Sequence, residues 1–407
     1  MAQGKVIDNV NILDIRKATP EAIAGIARIG NANLVLYSAE TAGLLAKLNI
    51  GNLNLPVELP GDQKLDMKIG QTVFNRSYFE THSASSFPLV IGQLLIEPDV
   101  TAENIEKGFS GLILIGQVVC PEPALGALQS KAVQTIGQMK SYPVLKQFHP
   151  GSLVLDEANL AGMEDHSELV VLGSLSVPGI LPGDLLEQKI QKIYVLEGLL
   201  CHEENAALLK GRLVAGSGQV KVIPAGFEWV EKPLTLNEIL LGSLKTRKLY
   251  CKERVTIDPE ISAAALDETL EALACEDFIL CPAALKGSLA KKCDLLKNRV
   301  IFYEGTLWLV DGEQVLQAST FEALEGKMTL VVTGELTLSA EIDAKALAGG
   351  LAKVHNLGEI HCMPQQMGVI QARLGMQEGE LIDSTPKAEH SPADDENHIG
   401  NANFMVL

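Results

Sequence analysis

The side chains best suited to chemistry in this chain are its seven cysteines and eight histidines. Four cysteines, Cys120, Cys201, Cys281 and Cys362, follow one another at a nearly constant spacing. His202 directly follows Cys201, and His361 directly precedes Cys362. Thiolate and imidazole are the donors of tetrahedral metal sites, and a thiol beside an imidazole is the activated pair of thiol nucleophiles. Both chemistries need convergence. If the stacking unit is the whole 80-residue period, the four thiols stack about 4.8 Å apart; if shorter strand–helix units stack, the thiols lie several units apart. Cysteine is also a small apolar side chain that is commonly buried. Leu34 occupies the equivalent place near the N-terminus, which favours that plain role.

Other chemistry finds less support. No group that would orient a Cys–His pair is identifiable, and Cys251, Cys275 and Cys293 complete an odd set without a Cys-x-x-Cys motif. The glycine-rich stretch 211–218 has neither a GxGxxG frame nor a following Gly-Lys-Ser/Thr, so a phosphate cradle is not expected. Trp229 and Trp308 are the only tryptophans, and no carboxylate pair recurs, which argues against sugar processing. His149, His166, His390 and His398 fall in linkers or the tail, where solvent exposure is expected. The expectation is therefore no catalytic residue, no cofactor, no metal and no enzyme. A net charge of −18 leaves no surplus of Lys and Arg for phosphate contacts, so nucleic acid is not expected as a partner. No apolar run reaches the ~18 residues of a membrane span. Met1–Lys5 leads into mixed polar sequence with no apolar signal core, so a cytoplasmic location with reduced thiols is expected.

The elements that would position any site repeat. Gly92, Gly173, Glu253 and Gly334 mark four centres that share the spacing of the cysteines. A 24-residue offset leads from them to Gly116, Glu197, Asp277 and Gly358, and a further 21-residue offset to Gly137, Gly218, Asn298 and Gly379. Both offsets hold in all four copies without a gap. The position two after each centre is always apolar, as in Leu94, Leu175, Val255 and Leu336. The position between is mostly polar, and such alternation predicts a half-buried strand. Gly, Asn or Asp at most centres predicts a bend with positive φ or a close backbone approach. Helices are predicted after the first strand (99–107, 183–190, 262–273, 343–351) and after the second (123–131, 203–212, 282–291, 364–373). Prolines near the start of three of the latter suit a first helical turn. The less regular remainder of each unit should add a fourth strand and a short helix.

With 47% hydrophobic residues but only 4% aromatics, the core must be aliphatic, which suits many thin layers. Short strands alternating with short helices at 20–25-residue steps resemble leucine-rich-repeat proteins as a class, over roughly residues 5–384. The resemblance implies an α/β repeat solenoid of short parallel strands and short helices. The expected organisation is a degenerate N-terminal capping repeat (1–87), repeats at 88–168, 169–247 and 248–329, a truncated repeat at 330–384, and a flexible acidic tail (385–407). In the capping repeat Gly30 and Gly51 keep the 21-residue offset, while the 24-residue offset falls on Val6 without a convincing match.

The tail supplies the most specific clue. After the polar stretch 385–398, the chain reads Ile399-Gly400-Asn401-Ala402-Asn403-Phe404-Met405-Val406-Leu407, and its first five residues repeat Ile29–Asn33. Solenoids expose unpaired strand edges, and a tethered segment with the sequence of a native strand could add to such an edge. It could do so in its own chain as a cap or in another copy, or it could stay disordered. Residues 399–407 are therefore the candidate assembly site. The expected function is a non-enzymatic structural protein that self-assembles through its ends, into filaments where the rotation does not close, with the chain itself as partner. The alternative is a solenoid scaffold that binds a protein or peptide.

Overall fold

The computed structural model describes residues 4–81, 86–385 and 397–407. Over the described residues it is an α/β structure of short parallel strands in eight sheets, alternating with short helices and without a closed barrel. Every pairing among the described residues is parallel. A parallel neighbour cannot be reached by a tight hairpin, so each strand needs a crossover. Here the crossovers are short helices, ten residues at the longest among those described, and strands that follow one another across a helix become sheet neighbours.

β1 (Lys5–Asp14), β2 (Ile26–Tyr37) and β3 (Ile50–Glu58) belong to one sheet. β4 (Asp66–Phe74), β5 (Pro88–Ile96), β6 (Leu112–Pro121) and β7 (Ala132–Tyr142) form the next, in chain order. Three further groups follow at 147–223, 228–303 and 306–383, in which most strands break at their centres into two short halves. The register keeps the predicted centres level: Gly92 lies opposite Gly116, and Gly116 opposite Gly137. The fourth strand has centres of its own at Gly70, Gly151 and Gly312, level with Gly92, Gly173 and Gly334. The groups therefore start one strand earlier than the unit boundaries at 88, 169 and 330. In the first sheet the register sets Asp8, not Val6, beside Gly30, so the 24-residue offset does not apply there.

Helix placement follows the capping signals. Thr101 caps the helix Ala102–Gly108 by accepting from the Asn104 amide, and Asn104 accepts in return from the cap backbone. Ser262 and Asp343 cap the equivalent helices. These helices cover one face of each sheet. Val90, Leu94 and Val118 pack against Ile105 and Leu128, and four more clusters of the same kind fill the other groups. Each fully buried aliphatic side chain contributes about 2 kcal/mol. The other sheet face meets the next group. Val119 and Tyr142 pack on Val170 and Tyr194, and Leu280 and Ile301 on Val331. Tyr142 and Tyr303 end the last strands of their groups and donate buried hydrogen bonds to the carbonyls of Ile96 (2.7 Å) and Ile257 (2.8 Å).

Most centres are glycine, for two different reasons. Gly116 has φ +133°, and a Cβ there would overlap the Gly92 carbonyl oxygen. Gly358 has no positive φ, yet a Cβ would overlap the Gly334 carbonyl. Among the centres, positive φ is confined to those of β4–β7, and close backbone approach is the commoner cause. No helix among the described residues is long and apolar enough to cross a membrane.

Gly116→Ala should therefore cost about 2–4 kcal/mol through overpacking and a disallowed φ. Gly126, in the helix Leu125–Lys131 with no atom near its missing Cβ, should accept alanine with a gain of up to ~1 kcal/mol. Urea midpoints of the two variants compare these outcomes directly.

Candidate assembly interface

The structure does not bring the cysteine column together. Cys120, Cys201, Cys281 and Cys362 are fully buried, each in the core of a different group. All seven thiols are free and buried. Burial pushes Cys120, Cys251 and Cys281 up to about 12, which keeps them protonated and unreactive. His202 is buried and His361 half-buried, both on the strands of their neighbouring cysteines. His149 and His398 lie on strands rather than in linkers, and His166 is an exposed residue with φ 58°. His390 lies outside the described residues, as does most of the polar stretch between 385 and 398.

Among the described residues, metal donors converge at Glu335, Glu359 and His361. His361 Nε2 sits 3.3 Å from Glu335 Oε1 and 3.5 Å from Glu359 Oε2. The glutamates belong to a row, Glu313, Glu335, Glu359 and Glu380, level across four adjacent strands.

The tail residues are placed more tellingly. His398–Val406 forms a closing strand that pairs in parallel with β1 of its own chain, giving the sheet order β3-β2-β1-closing strand. Asp8, Gly30 and Gly51 are the second, third and fourth centres of this sheet, and Gly400 is the first. The segment completes a four-strand group that otherwise has three. Ile399, Ala402, Met405 and Leu407 face the core of this group, beside Ile7, Val10 and Leu13. Asn401, Asn403, Phe404 and Val406 are exposed. His398 Nε2 lies 3.2 Å from Asp8 Oδ1.

Two rows of asparagine cross the completed sheet. Asn52 Nδ2 donates to Asn31 Oδ1 (2.9 Å), Asn31 to Asn9 (2.6 Å), and Asn9 to Asn401 (2.7 Å). Two positions further along, Asn54 donates to Asn33 (2.8 Å), Asn33 to Asn11 (2.9 Å), and Asn11 to Asn403 (2.9 Å). An amide carries both donor and acceptor, so a level row of asparagines satisfies itself. The second row faces Ile69, Ile91, Ile115 and Ile136 of the next sheet across a cleft of about 500 Å³. The identity of 29–33 with 399–403 does not by itself reveal these rows, although their signal is in the sequence. Ile-x-Asn-x-Asn stands at 7–11, 29–33, 50–54 and 399–403.

A second concavity of about 560 Å³ opens between the groups at 147–223 and 228–303. Trp229 lines it, stacked on Tyr250 with centroids 5.5 Å apart, and a Lys221–Glu276 ion pair (2.6 Å) crosses the junction.

Comparison with protein-family models, curated proteins and solved structures gives no match to this chain.

Two outcomes follow from the burial. None of the seven thiols should react with a thiol-specific reagent in the native protein, and all should react in denaturant, measured by absorbance. His355 is buried without a hydrogen-bond partner for either ring nitrogen, and desolvation, then Lys353, holds its pKa below the ordinary histidine value near 6.5. The unfolded chain therefore binds that proton more readily. The stability linked to His355 is complete above about pH 6.5 and falls as pH drops below it. His355→Leu should flatten this dependence in urea unfolding between pH 5 and 8.

Proposed function

We propose that the chain is a non-enzymatic structural protein that self-assembles, and that residues 398–406 are its donor strand. The observation that carries this is the first-strand position beside β1, filled by a segment from the far end of the chain. Strand addition draws its affinity from main-chain hydrogen bonds and alternate side-chain pockets, and these are the same whichever chain supplies the strand. A tether favours its own chain through high local concentration. Exchange between copies is then a domain swap that needs no new contact.

The finer architecture belongs to the same proposal. The groups are units of one α/β solenoid similar to leucine-rich-repeat proteins, each a set of four short coils. On that view the tail closes the first unit, and the sheet edges are the surfaces where copies meet. A second role, as a scaffold for a peptide or protein, draws on the Trp229-lined groove, whose ion pairs and aromatic face suit an extended polar chain.

Deleting residues 398–407 tests the donor-strand role. The truncated chain should keep its far-ultraviolet circular dichroism, lose its large species in sedimentation velocity and in negative-stain images, and bind a synthetic 397–407 peptide. Unchanged assembly size after truncation would remove the segment from the assembly mechanism.

A further inference from the structure

We infer that copies of this chain join edge to edge through the completed sheet, the closing-strand edge of one copy adding in parallel and in register to the β3 edge of the next. The inference rests on the self-assembly proposed above and names the surface and the partner, a second copy.

Both edges of this sheet lack a strand neighbour among the described residues. The two asparagine rows run with one polarity. Each side chain donates toward the closing strand, so each row ends with an amide NH₂ at Asn401 or Asn403 and with a carbonyl oxygen at Asn52 or Asn54. One edge presents acceptors where the other presents donors. A second copy placed on the edge extends both rows without an unsatisfied amide.

The apolar side chains match as well. The closing strand leaves Phe404 45% and Val406 60% exposed, and β3 leaves Leu53 38% exposed. Within one chain, Phe404 begins the level row that runs through Ile12 and Leu34 to Leu55, and Val406 begins the row that ends at Val57. Carrying that register across the seam sets Leu55 of the next copy beside Phe404, Val57 beside Val406, and Leu53 beside the small Ala402. The exposed apolar groups are those the seam covers. The same operation in the 306–383 group would bring Glu380 against Glu313, like charges on facing edges, which is how edges are kept apart. The self-complementary amide sheet is the one that invites a copy. The contact is heterologous, so it propagates as an open chain unless the rotation closes.

The test is a double variant, Asn54→Cys/Asn403→Cys. Within one chain these positions lie three strands apart, about 14 Å, too far for a disulfide. Across the seam they are neighbours at about 4.8 Å. Mild oxidation should give a ladder of covalent multimers on a non-reducing gel, while either single variant runs as a monomer. Failure of the folded double variant to cross-link between chains overturns the inference. A mixture of an Asn11→Cys chain with an Asn403→Cys chain reports strand exchange instead, so loss of one contact is distinguishable from loss of the other. Val406→Lys, which puts a charge on the seam at a side chain 60% exposed, should raise the concentration needed for assembly at least tenfold. An unchanged threshold would also count against the edge contact.

Discussion

Everything in this molecule depends on the parallel backbone ladder and its demand that each strand find a neighbour at a fixed height. Because the neighbour is reached through a helix, the chain advances by one strand with each strand–helix step, and the centres stay level. Level centres then dictate composition. Where one backbone crosses the carbonyl of the last, as at Gly358 over Gly334, only glycine fits. Where φ must also be positive, as at Gly116, the constraint is doubled. The helices answer a second demand of the ladder by covering the apolar face that each group of strands exposes.

A level ladder also places like side chains against like. A row of asparagines is a chain of hydrogen bonds, since each amide gives and takes. A row of glutamates has acceptors only and repels itself. Both kinds occur here, in the first group and the last. The outward face of a sheet can thus be attractive or repulsive to a copy of itself while the buried face hardly changes. In such a protein the surface rows can diversify from group to group without disturbing the core.

Much of the architecture is legible in the sequence because it is written in spacing. The centres at Gly92, Gly116 and Gly137 and the helices between them need only the periodicity of apolar and polar residues. The fourth strand is blurred for a different reason: Gly70, Gly151 and Gly312 stand at one constant offset, 22 residues before Gly92, Gly173 and Gly334, but unit boundaries at 88, 169 and 330 cut between them and their partners. The first unit falls out of register at Val6 because its step from β1 to β2 is two residues shorter, which sets Asp8 beside Gly30. The candidate site is half visible. The likeness of 399–403 to 29–33 is plain, but the two amide rows emerge only when four copies of the motif are set side by side in register. That register is a property of the sheet, not of any one stretch.

The closing strand has a consequence for how the chain is made. β1 leaves the ribosome about 390 residues ahead of its partner at 398–406, a gap of about 20–80 s of synthesis at ordinary rates. During that interval the nascent first sheet has three of its four strands and an apolar flank at Ile7, Val10 and Leu13 without its cover. A chain finished earlier could reach that flank before the ribosome releases the proper strand. In the proposed assembly, the order of translation on a polysome, where successive nascent chains sit close together, would bias which copy supplies the strand to which.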